Sequence, residues 1–198
     1  MKNKVGKICT ALGALLVLAG LMLWDYNDAE ANRAEAAAQE LLTEVTALQA
    51  DPAENTALSA TPETAQEENF LGVLTIPALD LELPVYATCD DERMKDTVCR
   101  YSGSTDTKDL VIAGHNYKKH FGGLTNLQPG DEVTLQTMDG QEYCYQVATL
   151  ETLTSTATKE MTAGDYPLTL FTCDYSGQAR ITVRCQQKAY PKQAASWM

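Results

Sequence analysis

Three residues whose types suit acyl transfer lie at the ends of short apolar runs. Cys173 ends Leu-Thr-Leu-Phe-Thr-Cys, His115 follows Asp-Leu-Val-Ile-Ala-Gly, and Arg180 opens Arg-Ile-Thr-Val-Arg-Cys. A thiol nucleophile needs a nearby base or cation, and donors for the oxyanion that forms when it attacks a carbonyl. We therefore interpret Cys173 as the candidate nucleophile, His115 as the candidate acid/base and Arg180 as a donor. Position alone leaves two alternatives open, a small buried cysteine and a surface arginine.

The remaining cysteines and histidines do not form a metal or redox motif. The chain lacks a C-x-x-C sequence and has two histidines, so we expect no metal site and no cofactor. Cys89 and Cys99 bracket a short polar segment and could bridge. We interpret His120 as a loop residue. The other cysteines, for which the sequence indicates no partner, are Cys9, Cys144 and Cys185.

Short apolar runs predict an all-β domain after residue 69. The turn sequence Asp139-Gly140 between two such runs predicts a β-hairpin. Helix is expected only at Asp91–Asp96 and in a turn near Leu124. About eight short strands in roughly 120 residues predict a closed barrel or a sandwich. The predicted strands are Val73–Ile76, Leu81–Tyr86, Asp109–Ala113, Val133–Met138, Gln141–Val147 continued by Thr149–Leu153, Leu168–Thr172 and Arg180–Cys185.

The N-terminus has the pattern of a membrane anchor. Lys2, Lys4 and Lys7 precede an apolar run from Ile8 to Trp24. This length is at the short end of a bilayer span, and the positive-inside rule predicts a cytoplasmic N-terminus with the rest outside the cell membrane, in a single pass. The alternative is a cleaved signal peptide, but the nearest small-x-small sequence, at 29–31, comes late.

Charge and composition divide the rest of the chain. The net charge of −12 is concentrated in residues 25–70, which carry eleven acids and one arginine. We expect a cytoplasmic tip and membrane anchor at 1–27, an acidic helical stalk and linker at 28–68, a catalytic barrel at 69–190 and a tail at 191–198. Because no basic surface is available for phosphates, a nucleic-acid partner is not expected.

Several segments resemble one family. Thr-Leu-Phe-Thr-Cys, ending at Cys173, resembles the T-L-x-T-C signature of sortases, the cysteine transpeptidases of Gram-positive bacterial surfaces. Leu110–Leu124 resembles the segment around the sortase histidine, and Leu71–Tyr86 resembles the opening strands of the family. The resemblance covers roughly residues 70–188 and implies a closed eight-stranded sortase-like β-barrel with short helices.

The resemblance also assigns site residues. It implies that Cys173 is the nucleophile, His115 the acid/base residue and Arg180 the arginine. Arg184 is the competitor, because residues 180, 182 and 184 share one face of a strand. Thr172, Asn116 and Arg184 are weaker candidates for substrate or oxyanion contacts.

The activity implied by the resemblance is cleavage of an LPXTG-like sorting signal through a thioester, followed by transfer to a cell-wall amine. Partners would be secreted proteins with a C-terminal sorting signal, and a peptidoglycan precursor or other amine acceptor. Asp51-Pro52 is followed by Ala53 where pilin-polymerising sortases often have an aromatic plug residue, which favours wall anchoring over pilus assembly. Two rivals remain: a cell-wall cysteine peptidase and a non-catalytic surface β-barrel that binds a ligand.

Overall fold

A computed structural model of the protein describes residues 2–50 and 69–188. The predicted linker at 51–68 and tail at 191–198 lie outside these residues, as does the Asp-Pro-Ala sequence at 51–53. The chain divides into two compact units, Met1–Arg33 and Ala34–Met198. The second unit carries all of the candidate site residues.

Helix α1 runs from Lys2 to Ala50 and includes both the predicted membrane segment and the predicted stalk. Within the part of the chain that the structure describes, one helix is long and apolar enough to cross a membrane, at Gly6–Gln49. Large side chains of the apolar run, such as Leu16 and Trp24, are more than half exposed. Length, composition and exposure are those expected of a membrane-spanning helix.

The second unit contains the predicted β-barrel. Its strands close in the order β1-β2-β3-β4-β7-β8-β6-β5. Closure leaves no sheet edge open to other chains. The strands are β1 (Phe70–Ile76), β2 (Leu81–Tyr86), β3 (Val98–Ser102), β4 (Leu110–Ala113), β5 (Glu132–Thr137), β6 (Glu142–Thr154), β7 (Leu168–Cys173) and β8 (Ala179–Gln187).

Alternating side chains build two apolar clusters on the two faces of the barrel wall. Leu110 and Ile112 on β4 and Leu168 and Leu170 on β7 belong to the larger cluster, which takes residues from every strand. The intervening residues, such as Phe171, join a second cluster. Cys173 follows Phe171 by two residues and therefore lies on the face of the second cluster.

Two strand predictions differ from the structure. Strand β3 was not predicted, because its sequence Val-Cys-Arg-Tyr-Ser mixes apolar and charged residues and pairs with β2 over two residues only. Strand β6 is one element, since a bulge between Val147 and Thr149 joins the two predicted pieces. The hairpin at Asp139-Gly140 is confirmed, and Gly140 has a φ of +78°, a conformation that favours glycine.

Short helices fill the connections between strands. Helix α2 (Arg93–Asp96) lies within the predicted Asp91–Asp96 segment, and a 3₁₀ helix at Phe121–Asn126 includes the predicted turn near Leu124. Helix α3 (Thr158–Met161) was not predicted. It lies between β6 and β7 and helps to build the candidate site.

The second part of α1 packs against the barrel. Ala34, Ala38 and Val45 are buried, at spacings that place them along one face of a helix. The side-chain amide of Gln49 donates to the backbone carbonyls of Gln136 and Thr137, 3.3 and 3.2 Å away. Residues 34–50 of the predicted stalk are therefore part of the second unit, and the small alanines allow close approach to the barrel.

Candidate active site

The barrel topology brings the three predicted residues to neighbouring strand ends. Strand β7 lies between β4 and β8. Cys173 at the end of β7 pairs directly with Arg180 on antiparallel β8. Strands β4 and β7 are parallel, and Ala113 lies opposite Phe171. His115 follows Ala113 by two residues, and Cys173 follows Phe171 by two residues. The backbone N–H of Gly114 donates to the Phe171 carbonyl at 3.1 Å and extends this register toward His115.

Cys173, His115 and Arg180 line one groove with a volume of about 270 Å³. Its floor is apolar and includes Ala113 and Phe171, and the edge of the Tyr101 ring meets Phe171 with centroids 5.2 Å apart. The connection between β6 and β7 contributes to the lining of this groove. One wall comes from the end of β6 and this connection, through Thr154, Ser155, Ala157, Thr158 and Met161. The other wall comes from α2 and the loop before it, through Cys89, Asp90, Asp91 and Met94.

The two arginines on β8 have different surroundings. Arg180 lines the groove, and its Nη1 donates to the backbone carbonyls of Gly177 and Ala179 at 3.2 and 3.3 Å. A guanidinium has five N–H donors, so these bonds leave donors for a bound ligand. Arg184 is 5% exposed. Strand alternation placed both on one face and could not separate them.

The Arg184 guanidinium makes four hydrogen bonds within the protein. Its Nε donates to the Glu151 carboxylate at 2.6 Å. Nη1 donates to the Met161 carbonyl and the Thr169 hydroxyl, both at 3.0 Å, and Nη2 donates to the Glu160 carbonyl at 2.7 Å. These bonds attach α3 to the barrel and so hold the groove wall that α3 supplies.

Two weaker candidates, Thr172 and Asn116, do not line this groove. Thr172 is 3% exposed, and strand alternation places its side chain on the face of β7 opposite Cys173. Its hydroxyl has no hydrogen-bond partner among the described residues. Asn116 is half-buried and lines a second hollow, together with Lys118 and Tyr175.

His120 lies in a turn, as predicted for a loop residue, but its side chain is fully buried. Burial lowers its pKa from 6.5 to about 4. The carbonyls of Ala34 and Asp96 lie near enough to favour the protonated ring, but neither makes a hydrogen bond of normal geometry with it. The imidazole is therefore neutral at physiological pH.

The barrel cysteines other than Cys173 comprise one disulfide and two thiols that are not in a disulfide. Cys89 and Cys99 form a disulfide with Cα atoms 5.0 Å apart, the pairing that the sequence left open. This bridge attaches the loop that walls the groove to β3. Cys185 is buried, which raises its pKa to about 12, whereas the Cys144 thiol lies 3.3 Å from the Glu142 carboxylate. Cys173 lines the groove, and Cys185 is inaccessible.

The described residues include no group of three or more His, Cys, Asp or Glu side chains placed to hold a metal ion. A thiol, an imidazole and a guanidinium on one groove are instead the groups that nucleophilic acyl transfer uses.

Comparison with solved structures identifies the fold. The sortase D5 transpeptidase of Clostridium perfringens has a TM-score of 0.59 and 16% identity, over 78% of this chain and 99% of that chain. Sortase C of Streptococcus pneumoniae has a TM-score of 0.54 and 20% identity, over 67% of this chain and 74% of that chain. Sortase E1 of Streptomyces coelicolor has a TM-score of 0.54 and 19% identity, over 66% and 92%. These similarities show a shared barrel fold across several sortase classes.

Sequence comparison identifies the family. A search of curated protein sequences found no match to the chain. The family model of the Sortase domain matches residues 74–188, more than half of the 198-residue chain. The matched segment contains strands β2 to β8 and all three groove residues of the candidate site. Together with the closed eight-stranded barrel, this match shows that the chain belongs to the sortase family.

Proposed function

We propose that the protein is a membrane-tethered cysteine transpeptidase that cleaves an LPXTG-like sorting signal and transfers the acyl group to a cell-wall amine. The observation that carries the proposal is the convergence of Cys173, His115 and Arg180 on one groove. Their strand ends are adjacent, so one substrate carbonyl can contact all three. The apolar floor at Ala113 and Phe171 suits the leucine and proline of such a signal.

In the first half-reaction the Cys173 thiolate, with His115 protonated, attacks the threonine carbonyl carbon of the signal, and a C–S bond forms. The resulting oxyanion accepts hydrogen bonds from donors at the groove, for which we propose the Arg180 guanidinium. Collapse of this intermediate breaks the C–N bond. His115 gives its proton to the departing amine, which leaves a thioester on Cys173.

In the second half-reaction an incoming amine attacks the thioester carbonyl. The C–S bond breaks and Cys173 returns as thiolate. His115 accepts the proton of the attacking amine and so regains the one that it gave up in the first half-reaction. Arg180 serves the same oxyanion in both steps. Arg184 is buried and hydrogen-bonded to Glu151, Thr169 and two carbonyls of α3, so its surroundings favour Arg180 for this role.

The anchor and the subclass are part of the proposal. The apolar part of α1 supports a single span with a cytoplasmic N-terminus, since Lys2, Lys4 and Lys7 precede it. The structural neighbours include sortases C, D and E, and therefore leave the subclass open. We propose wall anchoring because Ala53 follows Asp51-Pro52 where an aromatic plug residue would stand.

A ligation assay tests the function. The full chain in detergent micelles is incubated with peptides that carry LPXTG and single-position variants of it, with and without triglycine. We expect a ligated product from the wild-type protein and none from Cys173→Ala. Cleavage that ignores saturating triglycine would instead identify a hydrolase, and cleavage by folded Cys173→Ala would refute the assigned nucleophile.

A further inference from the structure

The loop that carries His115 closes on itself through backbone hydrogen bonds. The N–H of Phe121 donates to the His115 carbonyl at 3.1 Å, and the N–H groups of His120 and Gly122 donate to the Tyr117 carbonyl at 3.0 and 2.9 Å. The Phe121 side chain is fully buried in the core. The backbone of His115 is therefore attached to the barrel core a few residues later in the chain.

Two glycines permit this close packing. A Cβ atom at Gly122 would lie 2.6 Å from the Asn116 carbonyl oxygen. A Cβ atom at Gly114 would lie 2.7 Å from a methyl group of Val98. Both distances are shorter than real Cβ contacts, so larger residues would force the loop open.

Aromatic ring contacts connect the side chain of His115 to the interior of the barrel. The ring centroids of His115 and Tyr117 are 5.1 Å apart, with planes tilted by 40°. The ring of Tyr117 in turn lies 5.4 Å from that of His120, with a tilt of 54°. His120 is fully buried, whereas the other two residues are half-buried. The rings thus form a row from the groove to the interior.

We propose that Tyr117 is a positioning residue for His115, held in place by the buried ring of His120; this inference rests on the proposed function, in which His115 transfers protons. The backbone hydrogen bonds fix the position of the His115 backbone. They do not themselves restrict the two torsions of its side chain. A ring packed beside the imidazole restricts those torsions. Proton transfer requires the imidazole within hydrogen-bond reach of the amine, so this restriction should act on turnover.

The kinetic test compares two substitutions of Tyr117 in the full chain in micelles, with a sorting peptide and triglycine as substrates. Tyr117→Leu removes the ring and should lower kcat about tenfold or more, because small displacements of a catalytic group are costly. KM should stay within about twofold, since Tyr117 does not line the groove. Tyr117→Phe keeps the ring and should retain kcat.

A matched control separates this effect from a general loss of stability. Tyr143 is a half-buried tyrosine that packs against the barrel core on β6. Tyr143→Leu should retain kcat. Thermal unfolding of each variant establishes that it is folded at the assay temperature.

Spectroscopy tests the ring contact without any turnover. The chain has two histidines, so protein labelled with ¹³C at histidine Cε1 alone gives two imidazole signals, and His120→Phe identifies the one from His115. The Tyr117 ring current should shift this signal. We expect Tyr117→Leu to remove the shift and Tyr117→Phe to retain it.

The outcomes distinguish the two proposals. Wild-type kcat in folded Tyr117→Leu, or an unchanged His115 signal, would overturn the positioning role. A Tyr117→Phe protein as slow as Tyr117→Leu would also overturn it, because the hydroxyl and not the ring would then matter. Absence of Cys173-dependent turnover in the wild-type protein would instead refute the proposed function, while the histidine spectrum would still decide whether the Tyr117 ring packs beside His115.

Discussion

Mild acid should destabilise the folded protein through His120. The side chain of this residue is fully buried, and burial lowers its pKa from 6.5 to about 4. In the unfolded chain the same imidazole is exposed to water and titrates near its ordinary value. Between these two values the unfolded state binds a proton that the folded state does not bind, so the free energy of unfolding falls as the pH falls.

The size of the effect follows from the two pKa values. The full difference of about 2.5 pKa units corresponds to about 3.4 kcal/mol of stability, at about 1.4 kcal/mol per unit. Between pH 7 and pH 4.5 the loss is about 2.4 kcal/mol, because the folded-state group is then still mostly unprotonated. A marginally stable domain has only about 5–15 kcal/mol in total, so this loss is readily measured.

The assay is urea unfolding of the full chain in micelles at both pH values, followed by near-ultraviolet circular dichroism. Carboxylates also titrate in this range, so the informative quantity is the difference between the wild-type protein and variants at position 120. His120→Phe and His120→Leu should each show a loss on acidification that is smaller by about 2 kcal/mol. An equal loss in the wild-type protein and both variants would refute the reasoning.

Further predictions concern the arginines, the disulfide and the thiols. Arg184→Ala should lower the free energy of unfolding by about 3 kcal/mol, because it removes a buried guanidinium and deprives buried acceptors of its hydrogen bonds. Arg180→Ala should change stability by less than about 1 kcal/mol yet abolish ligation. The reverse pattern in urea unfolding and ligation assays would exchange their roles. Loss of the Cys89–Cys99 bridge by double substitution to serine should cost about 2–3 kcal/mol for a loop of this length. The same substitution should raise KM, since Cys89 lines the groove; unchanged KM in steady-state kinetics would show that the wall does not depend on the bridge. A water-soluble thiol reagent should label Cys173, with labelling slowed by a sorting peptide, and peptide mapping that finds Cys173 unreactive would favour a non-catalytic barrel.

Most of the barrel could be predicted because its strands are short apolar runs bounded by turn residues. The Asp139-Gly140 hairpin is a local feature, and glycine there adopts the conformation that the turn requires. Strand β3 could not be predicted in this way. Its residues pair with β4 and, over two positions, with β2, and these long-range pairings leave no periodic pattern in its own sequence.

Residue types and their positions at strand ends were enough to predict Cys173, His115 and Arg180 as candidate site residues. Alternation places Arg180 and Arg184 on one face, and only the β6–β7 connection, which folds over Arg184, separates them. His120 follows two lysines, a context that predicts exposure. The backbone carbonyls of Ala34 on α1 and Asp96 on α2, which are distant in sequence, lie near its buried ring. A local sequence pattern does not indicate tertiary contacts of this kind.

The most direct test of the account is identification of the residue that carries the acyl group. The full chain in micelles is mixed with a cleavable sorting peptide in the absence of an amine acceptor, quenched in acid, digested and mapped by mass spectrometry. The account predicts the peptide's acyl fragment on Cys173 as a thioester, released when triglycine is added before the quench. An acyl group on Cys144 or Cys185, or turnover without any acylated cysteine, would contradict it.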